Sequence, residues 1–164
     1  MQNILIHPYR SGLIGEIVHH HGSYYAKHWS FEGCFEAEVA EELGAFIRDY
    51  DAGRDGVWCA EMDGRFAGAV AVDGSRFGRG QARVRWFIVP EEFQSRGVGS
   101  QLFEQTMKFC RAGGFEMVHL WTFKGLGAAR KLYERNGFIL VEEASHCEWG
   151  PEIVAQKFEL SLTR

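Results

Sequence analysis

Residues 81–110, QARVRWFIVPEEFQSRGVGSQLFEQTMKFC, constrain the fold of this 164-residue chain more than any other segment. Residues 81–89 are rich in β-branched and aromatic side chains and predict a strand. Pro90 ends it, because proline brings no N–H to a ladder. Beyond it, Val98, Leu102, Phe103, Met107, Phe109 and Cys110 recur near helical spacing and predict a helix starting at Val98. Between them lies Gln94-Ser95-Arg96-Gly97-Val98-Gly99. A helix start exposes unpaired N–H groups and carries partial positive charge. Gly97 and Gly99 let the backbone come close to a bound group, and Arg96 adds a cation. Such a turn suits a phosphate or pyrophosphate; it is equally compatible with an ordinary glycine-softened helix start.

Two familiar phosphate loops are excluded. Gly99-Ser100-Gln101 lacks the Gly-Lys-Ser/Thr ending of a P-loop. A dinucleotide fingerprint needs three glycines directly after a strand, and only two occur here, after a charged loop. The remaining pattern, Gln-x-x-Gly-x-Gly, resembles motif A of the GNAT acyltransferases, which bind acetyl-CoA. Downstream, residues 117–123 (MVHLWTF) predict a strand and residues 126–136 a short helix. Gly137 is placed as a helix C-terminal glycine, followed by a strand from Phe138. The run Ala129-Arg130-Lys131-Leu132-Tyr133-Glu134-Arg135-Asn136-Gly137-Phe138 is similar to the GNAT signature ending Leu-Tyr-x-x-x-Gly-Phe.

The rest of the chain extends the pattern. Residues 3–7 predict a first strand, and Ser11 is placed to cap a helix. Leu13, Ile14, Ile17, Val18, His21, Tyr24, Tyr25 and His28 then share one helical face, with Gly22 expected to end or kink the helix. After a loop over 28–33, Phe35, Val39, Leu43, Phe46, Ile47 and Tyr50 predict the buried stripe of a second helix. Residues 57–62 and 66–72 predict strands joined by the hairpin signal Asp63-Gly64. Residues 73–80 (DGSRFGRG) form the longest loop. Residues 139–147 and 153–160 predict a last, antiparallel pair broken at Trp149-Gly150-Pro151.

The resulting order, β-α-α-β-β-β-α-β-α-β-β, is the GNAT order. It implies one domain over 1–164, an α/β (mixed α+β) fold whose central, mostly antiparallel sheet is flanked by helices. The opening segment (His21-Gly22, Tyr25, Phe35-Glu36-x-x-Val39) resembles the acetyltransferase half of bacterial MarR–GNAT fusion proteins. The chain is expected to be too short to include their DNA-binding half. A net charge of −4 gives no reason to expect nucleic-acid binding. No apolar run is long enough to span a membrane, and no signal peptide is recognised. A cytoplasmic location is expected, with Cys34, Cys59, Cys110 and Cys147 as buried or half-buried free thiols. Dimers are common in the family, so a homodimer is compatible with the resemblance.

The resemblance implies an acetyl-CoA-dependent N-acetyltransferase acting on a primary amine of a small molecule or protein. The alternative is a non-catalytic acyl-CoA-binding or sensing module. In the family, backbone groups of a splayed central strand hold the pantetheine arm and thioester oxygen; here these belong to Phe87, Ile88 and Val89. Pyrophosphate is expected on the turn Gln94, Ser95, Arg96, Gly97, Val98, Gly99 and Ser100. Arg96 could instead be a solvated surface arginine. Tyr133 matches the family's general acid, and a phenol is protonated at neutral pH. The competing reading is a core tyrosine beside Leu132.

The base is not copied from the family, because Arg83 stands where many members carry a glutamate. His21 is one candidate, against a buried hydrogen-bonded histidine as the alternative. His146 and Glu148 are weaker ones. Metal binding by His19-His20-His21 is rejected, because consecutive helical residues diverge by about 100°. Strand alternation puts Arg83 and Arg85 on one face, shared with Phe87 and Val89. There they could clamp an acceptor carboxylate, or simply pair with acidic residues.

Overall fold

The computed structural model describes residues 3–163. Apolar alternation and helical stripes resolve into β1 (Ile4–Pro8), α1 (Leu13–Trp29), α2 (Gly33–Arg48), β2 (Gly56–Met62), β3 (Arg65–Asp73), β4 (Gln81–Ile88), α3 (Val98–Ala112), β5 (Met117–Phe123), α4 (Gly127–Arg135), β6 (Ile139–His146) and β7 (Ile153–Ser161), with a single 3₁₀ turn at Glu91–Phe93. Among the described residues the strands form one seven-stranded sheet, in the order β1-β2-β3-β4-β5-β7-β6. Only β4 and β5 run parallel, joined through α3; every other pair is antiparallel. The mostly antiparallel mixed sheet agrees with the expected fold class.

Two cores lie on opposite faces of the sheet. On one, α3 sets Val98, Leu102, Phe103 and Met107 against Val70, Val72, Val84 and Val118. On the other, α1 and α2 set Ile17, Leu43 and Phe46 against Ala69, Ala71 and Val57. Alternation along β3 supplies both, with valines to one side and alanines to the other. Burying each large apolar side chain contributes roughly 1.5–3 kcal/mol. Gly68 is needed where α3 crosses β3, since a Cβ there would lie 2.8 Å from the Ile88 carbonyl oxygen.

The hairpin signal is realised, with Asp63 and Gly64 both at positive φ, as a type I′ turn requires. Several local expectations are corrected. The α1 N-cap is Gly12 in the left-handed conformation, not Ser11, and no side chain caps it. Gly22 neither ends nor kinks α1, which continues to Trp29. A Cβ at Gly22 would meet the Glu36 side chain, so the glycine serves the α1–α2 contact. Tyr50 lies beyond α2 and is exposed. Cys59 and Cys110 are buried free thiols, whereas Cys34 and Cys147 are exposed.

The largest departure is inside β4. Ala69 pairs with Ile88 and Ala71 with Arg85, so four residues of β4 oppose three of β3. The extra residue forms a bulge around Trp86, whose φ is 48°. Before it, Val84 faces α3; after it, Phe87 and Val89 do. Arg85 contacts Glu42 of α2, and Trp86 joins the α1–α2 core. Arg83 and Arg85 therefore do not share a face with Phe87 and Val89. The bulge reverses the alternation that the expectation assumed.

Candidate active site

Pairing of β4 with β5 runs from Gln81↔Met117 to Val84↔Leu120 and then stops. Strand β4 continues to Ile88, while β5 stays paired with β7 as far as Phe123↔Ala155. The two strands thus part, and the backbone after Val84 has no ladder partner on the β5 side. Unpaired backbone groups need other partners, so this split is a ready place for a hydrogen-bonding ligand. A cavity of about 990 Å³ opens there, lined by Phe87, Ile88 and Val89 of β4, the C-terminal turns of α1, α2, and the start of α4.

At one end of the cavity lies the turn before α3. Ser95 and Gly97 have φ of 60° and 86°, so left-handed residues flank Arg96 and turn successive N–H groups to one side. The first helical return bond is from Gln101 N–H to the Gly97 carbonyl, which leaves the amides of Val98, Gly99 and Ser100 outside the helical ladder. Gly99 sits against Phe87 and Val89, where a Cβ would reach within 3.4 Å of the Phe87 ring. Gln94, Ser95, Gly97, Gly99 and Ser100 line the cavity. Arg96 and Val98 do not. Val98, the first residue of α3, is buried against the sheet, and Arg96 lies 5.9 Å from the Phe93 ring. The cation facing the turn is instead Arg135 of α4, which donates to Ser100 Oγ at 3.4 Å.

Tyr133 projects from α4 into the cavity, its ring 5.6 Å from Phe103 and 6.4 Å from Phe87. Burial pushes its phenol well above the ordinary value. Tyr25 of α1 faces the same space, and its phenol is likewise raised by burial and then by the neighbouring Tyr133 and Tyr24. His21 is buried, lines the cavity, and donates from Nδ1 to the Ile17 carbonyl at 2.8 Å in its neutral form. That bond leaves Nε2 as the acceptor. Burial, reinforced by His20, lowers its pKa to about 4. His146 also lines the cavity, 4.2 Å from the Trp149 ring, while Glu148 is exposed and only its carbonyl is engaged, by Cys34. The three consecutive histidines diverge, with His20 stacked on Phe66 and His21 turned into the cavity.

The arginines fare differently from each other. Arg85 is bound by Glu42 and by the fully buried Asp73 at 3.3 Å. Arg83 has no ion-pair partner among the described residues, and its buried Nε is unbonded. Both line the cavity.

A split parallel pair, a left-handed turn into α3 and a tyrosine from the next helix all converge on one cavity. The model of the Acetyltransferase (GNAT) family matches residues 19–138, a span that contains all three. This chain belongs to the acetyltransferase (GNAT) family.

Among GNAT relatives, the probable N-acetyltransferase camello of Xenopus tropicalis is 31% identical over 99 residues, covering 60% of this chain and 43% of that protein. An uncharacterized N-acetyltransferase of Archaeoglobus fulgidus is 29% identical over 84 residues, covering 49% of this chain and 57% of that protein. The chain spans about half the length of the curated relatives it matches. The fold matches a GNAT acetyltransferase from Staphylococcus aureus, with a TM-score of 0.80, 15% identity, and coverage of 98% of this chain and 100% of that one. It also matches yncA from Salmonella typhimurium, whose structure holds its cofactor acetyl-CoA, with a TM-score of 0.76, 15% identity, and coverage of 99% and 95%.

Relative to the GNAT motifs, sequence reasoning missed Tyr25, Trp29, Arg135 and Trp149. The α1 aromatics share the helical spacing of a core stripe, so periodicity alone assigned them to packing. Their density at the end of α1 (Tyr24, Tyr25, His28, Trp29) was the available signal.

Proposed function

We propose that this chain is an acetyl-CoA-dependent N-acetyltransferase that acts on a primary amine by direct transfer. The observation that carries the reading is the placement of the β4–β5 split between the left-handed turn and Tyr133. The residues present fit the cofactor. The amides of Val98, Gly99 and Ser100, with Arg135 beside them, suit a pyrophosphate, and the unpaired backbone from Phe87 to Val89 suits an extended amide-bearing arm. Arg96, directed onto Phe93, has no part in this arrangement.

Bound acetyl-CoA supplies an activated acetyl group. Its transfer forms the amide N–C bond, breaks the C–S bond and moves one proton from amine to thiol. Tyr133, kept protonated by burial, is placed to deliver that proton to sulfur. An unpaired β4 amide beside Phe87 would hold the thioester oxygen. His21 presents Nε2 to the cavity as an acceptor but, with a pKa near 4, is a weak base. It is better suited to orient an amine or a water than to remove a proton outright.

Two measurements test this. Calorimetry should detect coenzyme A binding, and thiol release from acetyl-CoA with pooled amines should depend on Tyr133. Arg83, in place of the family's strand carboxylate, favours the second reading of an acyl-CoA sensor. Tight acetyl-CoA binding without turnover of any amine would select it.

A further inference from the structure

Arg83 and Arg85 lie two residues apart on β4, yet their surroundings are unequal. Arg85 takes both nearby carboxylates, Glu42 from α2 and Asp73 from β3, and lies over the Trp86 ring at 4.2 Å. Arg83 bonds neither, although Asp73 stands opposite it in the register with its Oδ1 unbonded. Its Nε is shut off from water and has no hydrogen-bond partner, and its guanidinium lies 5.9 Å from the Phe77 ring. Burial, then the like charge of Arg85, lowers its pKa to about 10, so it remains cationic at neutral pH. Arg83 is half-buried, and a buried donor left without an acceptor is costly. The cost is not imposed by a shortage of acids, since the chain carries 22 of them against 18 lysines and arginines.

The position of this charge matters. Arg83 stands in the last paired stretch of β4, opposite His119, one residue before the strands part. It lines the same cavity as Tyr133 and the split backbone. Its surroundings are built rather than casual. Asp55, itself buried, accepts hydrogen bonds from the Gly74 amide at 2.9 Å, the Ser75 amide at 3.1 Å and Ser75 Oγ at 2.9 Å. Those bonds anchor the start of the loop that brings Phe77 over Arg83 and His119. The α2 side of the cavity carries Glu38, held at 2.6 Å by the Trp149 indole N–H. The wall thus offers an unsatisfied cation on the sheet and a carboxylate facing it from a helix.

We propose that Arg83 is the anion-recognising residue of the acceptor site, and that the acceptor is an amine that also bears a carboxylate. The proposal rests on the acetyltransferase reading above. A carboxylate offers two acceptors to the planar guanidinium fork, which a neutral acceptor cannot match. Arg85, paired with Glu42 and Asp73, leaves Arg83 as the arginine with an unbonded donor in the cavity wall.

The test uses the full chain with and without saturating coenzyme A. Thermal shift and tryptophan fluorescence are read for the twenty α-amino acids and for ω-amino acids from glycine to 6-aminohexanoate, each beside its carboxamide. At least one acid should bind roughly 10- to 100-fold more tightly than its amide. Arg83→Gln should remove that preference while leaving amide binding and coenzyme A binding unchanged. Arg83→Lys, which keeps the charge but not the fork, should retain only part of it and serves if the glutamine variant does not fold. Acids and amides binding alike, no acid binding, or a preference that survives Arg83→Gln would each overturn the proposal. Failure of the acetyltransferase reading would appear separately, as absence of heat with coenzyme A.

Discussion

The guanidinium of Arg85 lies 4.2 Å from the centre of the Trp86 ring, although the two residues are consecutive in one strand. Neighbours in a regular strand point to opposite faces. Here the bulge at Trp86 turns both toward α2, and Phe87 toward α3. Arg85 and the Phe87 side chain thereby lie toward opposite faces of the sheet, although both residues line one cavity. Deleting Trp86 should restore simple alternation with Phe87 and Val89 still toward α3, but remove the bend that the bulge gives β4 where it leaves β5. Coenzyme A binding should be lost, as measured by calorimetry, even where circular dichroism shows a folded sheet.

Tyr133→Phe removes the proton donor but keeps the ring packed between Phe103 and Phe138. Turnover should fall about 10²- to 10⁴-fold with the Michaelis constant for acetyl-CoA little changed. Steady-state thiol release checks this. A comparable loss in both parameters would instead assign Tyr133 to binding.

Gly97 has φ of 86°, and a Cβ there would find only Ile4 Cδ1, at 4.0 Å. Gly97→Ala should therefore cost about 1–2 kcal/mol through backbone strain rather than collision. Relaxation of the turn should also weaken coenzyme A binding. Denaturant unfolding and calorimetry separate the two effects. Arg96→Ala should leave coenzyme A affinity nearly unchanged, whereas Arg135→Ala should reduce it.

His21 sets a pH dependence of stability. Its folded pKa, about 4, lies below the unfolded value of about 6.5. The unfolded chain then binds more protons between these values, so stability is full above pH 6.5 and falls as pH drops toward 4. Between pH 6.5 and 5 the loss is on the order of 2 kcal/mol from this group. His119, lowered to about 4 chiefly by burial, adds to it in the same window. Urea unfolding at pH 7 and pH 5 should show a smaller loss in His21→Asn, which keeps a donor toward Ile17 but does not titrate.

Asp55 accepts four hydrogen bonds, from the Asp51 amide, the Gly74 and Ser75 amides and Ser75 Oγ. Asp55→Ala should destabilise the fold by about 2–4 kcal/mol, because buried amides lose their partners. Hydrogen exchange should quicken first at Gly74 and Ser75.

Much of this molecule was legible before it was folded. Local periodicity assigned the elements and their order, because side-chain spacing of two or 3.6 residues is a property of adjacent positions. The two glycine-bearing turns and the Leu132-Tyr133 pair were equally local, and they carried the family. The rest depended on partners distant in sequence. Where β4 leaves β5 is decided by β7 holding β5, and the bulge at Trp86 by the register of β3. Arg85 is satisfied and Arg83 is not, because α2 delivers Glu42 to Arg85 while its Glu38 is held by the Trp149 indole. Charge pairing and ladder termination are settled by which chains meet in space, and no window of contiguous residues contains that information.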